Sequence, residues 1–290
     1  MVITGLPTQL AAQVVPMPLG ILVLVAILGA SVGSFLNVCI ARWPEGLSVW
    51  RPRSRCPQCA RPIAWHENVP VLSWMLLRGR CRGCGQPISP QYPLVEAMVA
   101  LGWIACVLAF GLSFEALRVA VVGTTLLGIM VTDARHYLIP DGFTLFGLGF
   151  VLVTAVANFF IQEPTHFATT WPALVGACTG AGAIAIVGWL AEVVMRREAM
   201  GFGDMTLMAM VGAALGPERA LLTIVAGAGL GAGMFLLVVG PVLWLRSRRA
   251  GTTFAFPDVP FGVFLAPAAI GALLWGDAAL SWYLQWMLPS

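Results

Sequence analysis

An all-α, polytopic membrane protein is predicted, with about eight transmembrane helices and a small zinc-binding domain between the first and second spans. Three observations carry that expectation. Hydrophobic residues make up 59% of the 290-residue chain and charged residues only 10%, with a mean hydropathy of +0.88, whereas a soluble domain carries about 25% charge. Apolar stretches able to cross about 30 Å of hydrocarbon recur along the chain. Only one long interval, 41–92, breaks the pattern, and it holds two Cys-x-x-Cys pairs.

The expected spans lie near 18–40, 94–111, 115–132, 143–161, 171–195, 204–217, 219–245 and 261–286, the sixth being the shortest. The first lacks a basic leading segment and runs into GSFLNVCIAR instead of a small-residue cleavage site. It is therefore read as a retained helix and not as a removable signal.

Charge placement orients these spans. All 16 basic residues are Arg, and 14 of them fall in loops that eight spans would place on one side. Only Arg118 and Arg219 fall on the other. The positive-inside rule makes the Arg-rich side cytoplasmic, which puts both termini outside and the 41–92 interval in the cytosol. The net charge of +3 reports topology, and nucleic-acid binding is not inferred from it.

Within the cytosolic interval, Cys56-Pro57-Gln58-Cys59 and Cys81-Arg82-Gly83-Cys84 stand 21 residues apart. Two such pairs on tight turns can close a thiolate tetrahedron around a structural zinc ion. Redox or disulfide roles are the alternative, disfavoured in a reducing compartment. A segment of this size has too little chain for a sizeable core, so a metal staple has a clear physical role. Cys39, Cys106 and Cys178 have no companions at ligand spacing and are read as packing residues.

The chain has only five Asp, and two of them stand at the cytoplasmic ends of predicted spans: Asp133 and Asp204. Taken alone, Asp133 could be an exposed helix end or a partner of Arg135, and Asp204 an N-cap of the sixth span. Taken as a pair, they suit aspartic protease chemistry: one carboxylate activates water while its protonated neighbour polarises the scissile carbonyl. Gly201 and Gly203 would let backbone and a bound peptide approach closely. Asp141, after Ile139-Pro140, is expected to cap the next helix. His66, His136 and His166 show no ligand spacing, and neither a GxSxG elbow nor an HExxH helix occurs.

Several blocks together identify a resemblance: GSFLNV (Gly33 to Val38), the two CxxC pairs, WHENVPVLSW (Trp65 to Trp74), LRGRCRGC (Leu77 to Cys84), ISPQYPLVE (Ile88 to Glu96), TDARHYLIPD (Thr132 to Asp141), MGFGD (Met200 to Asp204) and PFGVFLAPA (Pro260 to Ala268). The chain resembles the type IV prepilin peptidases, GxGD-type aspartic proteases of bacterial inner membranes. The resemblance implies an enzyme that cuts the basic leader from type IV prepilins and type II secretion pseudopilins at the cytoplasmic membrane face. It also implies N-methylation of the new N-terminal residue with S-adenosylmethionine as donor.

Carried over by motif, Asp133 and Asp204 become the catalytic pair, Gly201 and Gly203 the signature glycines, and Cys56, Cys59, Cys81 and Cys84 the cysteine tetrad. The implied domains are a first transmembrane helix (1–40), a cytosolic zinc-binding domain linked to methyl transfer (41–92) and a membrane peptidase domain (93–290). No G-x-G-x-x-G element follows a strand, so the methyl-donor site is not of the Rossmann kind. Glu67, Asn68 and Gly79 are candidates for methyl transfer, against ordinary turn chemistry. Glu45, Glu67, Glu96 or backbone carbonyls are candidates to receive a basic leader.

One departure from the family stands out. Members commonly have a Lys two residues after the second aspartate, where this chain has Thr206. Arg135, Arg196 or Arg197 are the candidate replacements for its positive field. Two other classes are weighed: a transporter using Asp133 and Asp204 as relays, which would predict acids deep inside spans and an internal repeat, and a zinc-stabilised scaffold, which has no need of both aspartates. No repeat is apparent by inspection.

Overall fold

The computed structural model describes residues 15–196, 200–250 and 259–287. The chain divides into two compact units, 1–128 and 129–290. Among the described residues every regular element is helical, and no strand forms beyond isolated bridges.

The first unit contains α1 (Leu19–Arg42), the hydrophilic insertion with its short α2 (Leu72–Leu76), α3 (Gln91–Phe110) and the beginning of α4 (Phe114–His136). α1 and α3 approach through glycine. A Cβ on Gly29 would stand 2.9 Å from Cα of Ala100, and one on Gly33 2.8 Å from Cα of Glu96. Residues four apart share a helix face, and small residues there let two helices pack backbone to backbone where lipid supplies no hydrophobic drive. One turn further on, buried Asn37 donates through Nδ2 to the Tyr92 carbonyl at 3.0 Å. Glu96, also buried, accepts the Val71 amide at 2.7 Å and so ties the insertion to α3. Arg118, 1% exposed, lies 4.0 Å from the carboxylate of Glu115 within α4.

The second unit contains the end of α4, then α5 (Asp141–Ile161), α6 (Thr170–Met195), α7 (Phe202–Leu215) and α8 (Pro217–Met234). α8 runs through a π-helical stretch, Phe235–Val239, into α9 (Gly240–Ala250), and α10 (Gly262–Met287) closes the unit. α7 ends at Gly216, whose φ of +84° lies in the left-handed region, and Pro217 opens α8 at its first turn.

Of the eight expected spans, seven are helices long and apolar enough to cross a membrane. The sixth is α7, an apolar helix of 14 residues, about 21 Å long against about 30 Å of hydrocarbon. Leu207, Met208, Met210 and Ala213 are fully buried. Protein surrounds this face of α7, so its length is not set by contact with lipid. Gly176 and Gly180 of α6 make the fit possible: a Cβ on Gly176 would run into the Gly212 carbonyl, and one on Gly180 into the Met208 carbonyl.

One capping expectation, for Asp141, is corrected, and the N-cap alternative for Asp204 is set aside. Asp141 is the first residue of α5, after Pro140 in the cap position, and makes no side-chain cap bond. Its carboxylate sits in the first turn, where the helix dipole favours it. Asp204 is the third residue of α7, and the cap position belongs to Gly201.

Candidate active site and thiolate cluster

Asp133 sits one turn from the end of α4 and is 4% exposed. Its Oδ2 accepts the Val263 amide at 3.2 Å. The open N-terminus of α10 is thereby closed by a side chain from α4. A Cβ on Gly262 would stand 2.9 Å from Oδ2 of Asp133, and only glycine lets the carboxylate settle onto this helix start.

Asp204 turns back on its own helix start. Its Oδ2 accepts the Gly201 amide at 3.2 Å, while its own amide donates to the Gly201 carbonyl at 3.1 Å. This is the backbone half of a capping box. The two carboxylates lie near enough to interact electrostatically.

Ile139 organises the space between them. A Cβ on Gly203 would meet Ile139 Cβ at 2.8 Å, and one on Gly262 would meet Ile139 Cδ1 at 3.0 Å. The segment after Asp133 therefore wedges between the starts of α7 and α10. α5 and α6 form an antiparallel return between the two aspartates, so the end of α4 and the start of α7 meet at one end of this unit. Asp133 and Asp204 thus lie near one another, with Ile139 packed against Gly203 and Gly262. The roles of Ile139 and Gly262 were missed, although both lie within blocks that stood out in the sequence.

Thr206, where a Lys is usual, donates its hydroxyl to the Gly203 carbonyl at 3.0 Å and so serves its own helix. Arg135 and Arg196 are exposed and form no ion pair with either aspartate. Arg197 lies outside the described residues.

The thiolate cluster belongs to the first unit. The ligand atoms of Cys56, Cys59, Cys81 and Cys84 all lie within 4.8 Å of one another, and Cys56 Sγ is 3.9 Å from Cys84 Sγ. Four sulfurs around a tetrahedral zinc at 2.3 Å would be about 3.8 Å apart, so the cluster fits that ion. The amides of Cys59 and Gln58 lower the Cys56 thiol to about 6, toward the thiolate a metal needs.

The two knuckles are copies of each other. RCPQCARPI (55–63) and RCRGCGQPI (80–88) share R-C-x-x-C-x-x-P-I. In each, the first Cys amide bonds the residue five positions on: Cys56 to the Arg61 carbonyl at 2.9 Å and Cys81 to that of Gln86 at 2.8 Å. The residue after each second Cys takes positive φ, 56° at Ala60 and 71° at Gly85.

Glu67 braces these copies. It accepts Arg61 at 2.9 Å beside the first knuckle and lies 3.6 Å from Arg82 within the second. The Arg61 hydrogen bond, more than any other contact, holds the Glu67 carboxyl below the usual range. Gly79 has φ +66°, and a Cβ there would press on the Trp74 ring at 2.9 Å. Of the candidate receivers for a basic leader, Glu67 and Glu96 are thus occupied internally, and Glu45 is exposed.

Asn68 lines a cleft of about 340 Å³ at the end of α1.

Comparison with known proteins agrees in both units. Residues 27–110 match the profile described as bacterial peptidase A24 N-terminal domain, and residues 120–237 match the type IV leader peptidase family. A prepilin leader peptidase/N-methyltransferase of Stutzerimonas stutzeri is 36% identical, covering 92% of this chain and 95% of the relative. One of the same name from Pseudomonas aeruginosa is 34% identical with the same coverage, 92% and 95%. A third, from Myxococcus xanthus, is 42% identical over 78% of this chain and 64% of its own length. No solved structure gives a significant match.

Proposed function

This chain belongs to the type IV leader peptidase family, and from that premise we propose that Asp133 and Asp204 hydrolyse the leader peptide bond of a prepilin or pseudopilin, whose new N-terminus is then N-methylated. The observation that carries the reading is the convergence of Asp133, Asp204 and the starts of α7 and α10 at one end of the second unit.

Asp133, whose Oδ2 already accepts the Val263 amide, is the acceptor that takes a proton from water. The resulting nucleophile adds to the scissile carbonyl carbon while Asp204 donates a hydrogen bond to the carbonyl oxygen. The C–N bond then breaks, and the leaving amine takes a proton from the pair. Gly203 lets Ile139 pack beside Asp204, and the missing side chain of Gly201 leaves room for the substrate backbone.

Cys56, Cys59, Cys81 and Cys84 hold a zinc ion whose contribution is structural, fixing the two knuckles in a segment too small for a core of its own. S-adenosylmethionine is the methyl donor. When bound it would supply the methyl group that the neutral α-amine of the cleaved product receives. Glu67 and Gly79 act here by positioning the knuckles, and Asn68 faces the cleft beside α1.

The protein sits in the bacterial inner membrane with the aspartates and the zinc domain on the cytoplasmic side. The arginine distribution supports this orientation. Arg118 and Arg219, the exceptions, are both held in ion pairs, with Glu115 at 4.0 Å and Asp277 at 3.6 Å. A prepilin's basic leader and apolar helix would then place the scissile bond at the interface where the aspartates lie. Membrane lipid holds the apolar helix, and no nucleic acid is involved.

The test is co-expression with a prepilin, read by intact mass. Asp133→Asn and Asp204→Asn are each expected to leave the leader attached. Full cleavage by either variant would refute the catalytic assignment. Cleavage without the added methyl mass would remove only the transferase half.

A further inference from the structure

The cleft at the cytoplasmic end of α1 has no part in hydrolysis or zinc binding, and its lining is unusual for a surface groove. Arg42 donates to the Ser48 carbonyl at 2.9 Å and to the Pro52 carbonyl at 2.7 Å, closing the connecting loop over the helix end. The loop is thereby braced by a charged side chain from the helix it covers. Trp50, on that loop, is 82% exposed and contacts the Phe35 ring with centroids 6.3 Å apart. Its indole is not there to fill a core. Arg53, Ser54 and Asn68 supply polar groups around the same space.

We propose that this cleft is the binding site for S-adenosylmethionine, with Trp50 and Phe35 against the adenine or the sulfonium, Arg53 on the methionine carboxylate, and Ser54 and Asn68 on ribose hydroxyls. The inference rests on the methyl-transfer reading above and assigns it a place. The volume of about 340 Å³ falls in the range of small-molecule sites, about 300–1,000 Å³. The ligand carries one planar ring, two cations (the sulfonium and the α-ammonium), one carboxylate and two ribose hydroxyls. An aromatic face accepts the ring or the sulfonium, guanidinium matches the carboxylate fork, and amide and hydroxyl groups suit the sugar. A backbone anion cradle of the dinucleotide kind is not required, consistent with the absence of its glycine motif.

Equilibrium binding of radiolabelled S-adenosylmethionine to the full chain in detergent micelles tests the assignment without any turnover. Trp50→Ala and Arg53→Gln are each expected to weaken binding about tenfold, with Arg53→Lys recovering part of the loss. Zinc content serves as the check that the domain remains folded. Ultraviolet crosslinking of the bound donor is expected to label the peptide containing Trp50. If the native chain binds the donor and the two variants bind it equally well, the cleft is not the site, while the transferase reading stands. If the native chain binds no donor, that reading fails and this assignment with it.

Discussion

The Val263 amide donates to Oδ2 of Asp133 at 3.2 Å across 130 residues of sequence. One bond thereby closes the N-terminus of α10 and fixes the carboxylate proposed to activate water. The proposed catalysis and helix docking share an atom, so a small displacement of α10 would displace the proposed reacting group.

Gly262→Ala should therefore damage cleavage more than folding. The new Cβ would stand 2.9 Å from Asp133 Oδ2, and a shift of the order of 1 Å at a catalytic group lowers turnover about a hundredfold. Measured on a prepilin substrate, the loss should appear in kcat, with protein yield and melting temperature close to native.

Gly212→Val should act on stability. Gly212 and Gly176 meet backbone to backbone, and there is no flexible side chain to give way. Overpacking at such a contact costs about 3 kcal/mol, to be read as a lower unfolding temperature in micelles, with cleavage lost through the displacement of α7.

Removing the metal should affect the first unit. A strong chelator, or Cys59→Ser, is expected to release zinc from a stoichiometry of about one per chain. Metal analysis alongside methylation assays on a precleaved peptide should show both fall together.

Glu67 predicts an acid sensitivity. The Arg61 hydrogen bond lowers its folded-state carboxyl below the ordinary value of 4.5. A depressed carboxyl contributes stability that is complete above that ordinary value and is lost as pH falls through the folded one. Thermal stability of the zinc domain should drop on acidification below 4.5, and Glu67→Gln should flatten that part of the profile.

Arg135→Gln and Arg196→Gln should leave the pH profile of cleavage where it is. Both side chains are exposed and neither pairs with Asp133 or Asp204, so solvent screens their fields. A displaced profile in either variant would show that they do replace the Lys absent at Thr206.

Composition alone determined that this is a membrane protein, because hydropathy is summed along the chain and needs no partner. Spacing alone identified Cys56, Cys59, Cys81 and Cys84, since both ligand pairs are local turns. Asp133 and Asp204 were legible as candidates because a carboxylate at the end of an apolar run is conspicuous. Tertiary structure decided what each of them touches. Val263, Gly262 and Ile139 look like ordinary apolar or small residues until α10 and α7 fold against the end of α4. Glu67 reads as a free acid until Arg61 and Arg82 close around it. The shortness of α7 looks like a defect in a span until the glycines of α6 enclose it. Contacts between distant residues leave no trace in local periodicity or composition, and steric fit exists only once both surfaces have formed.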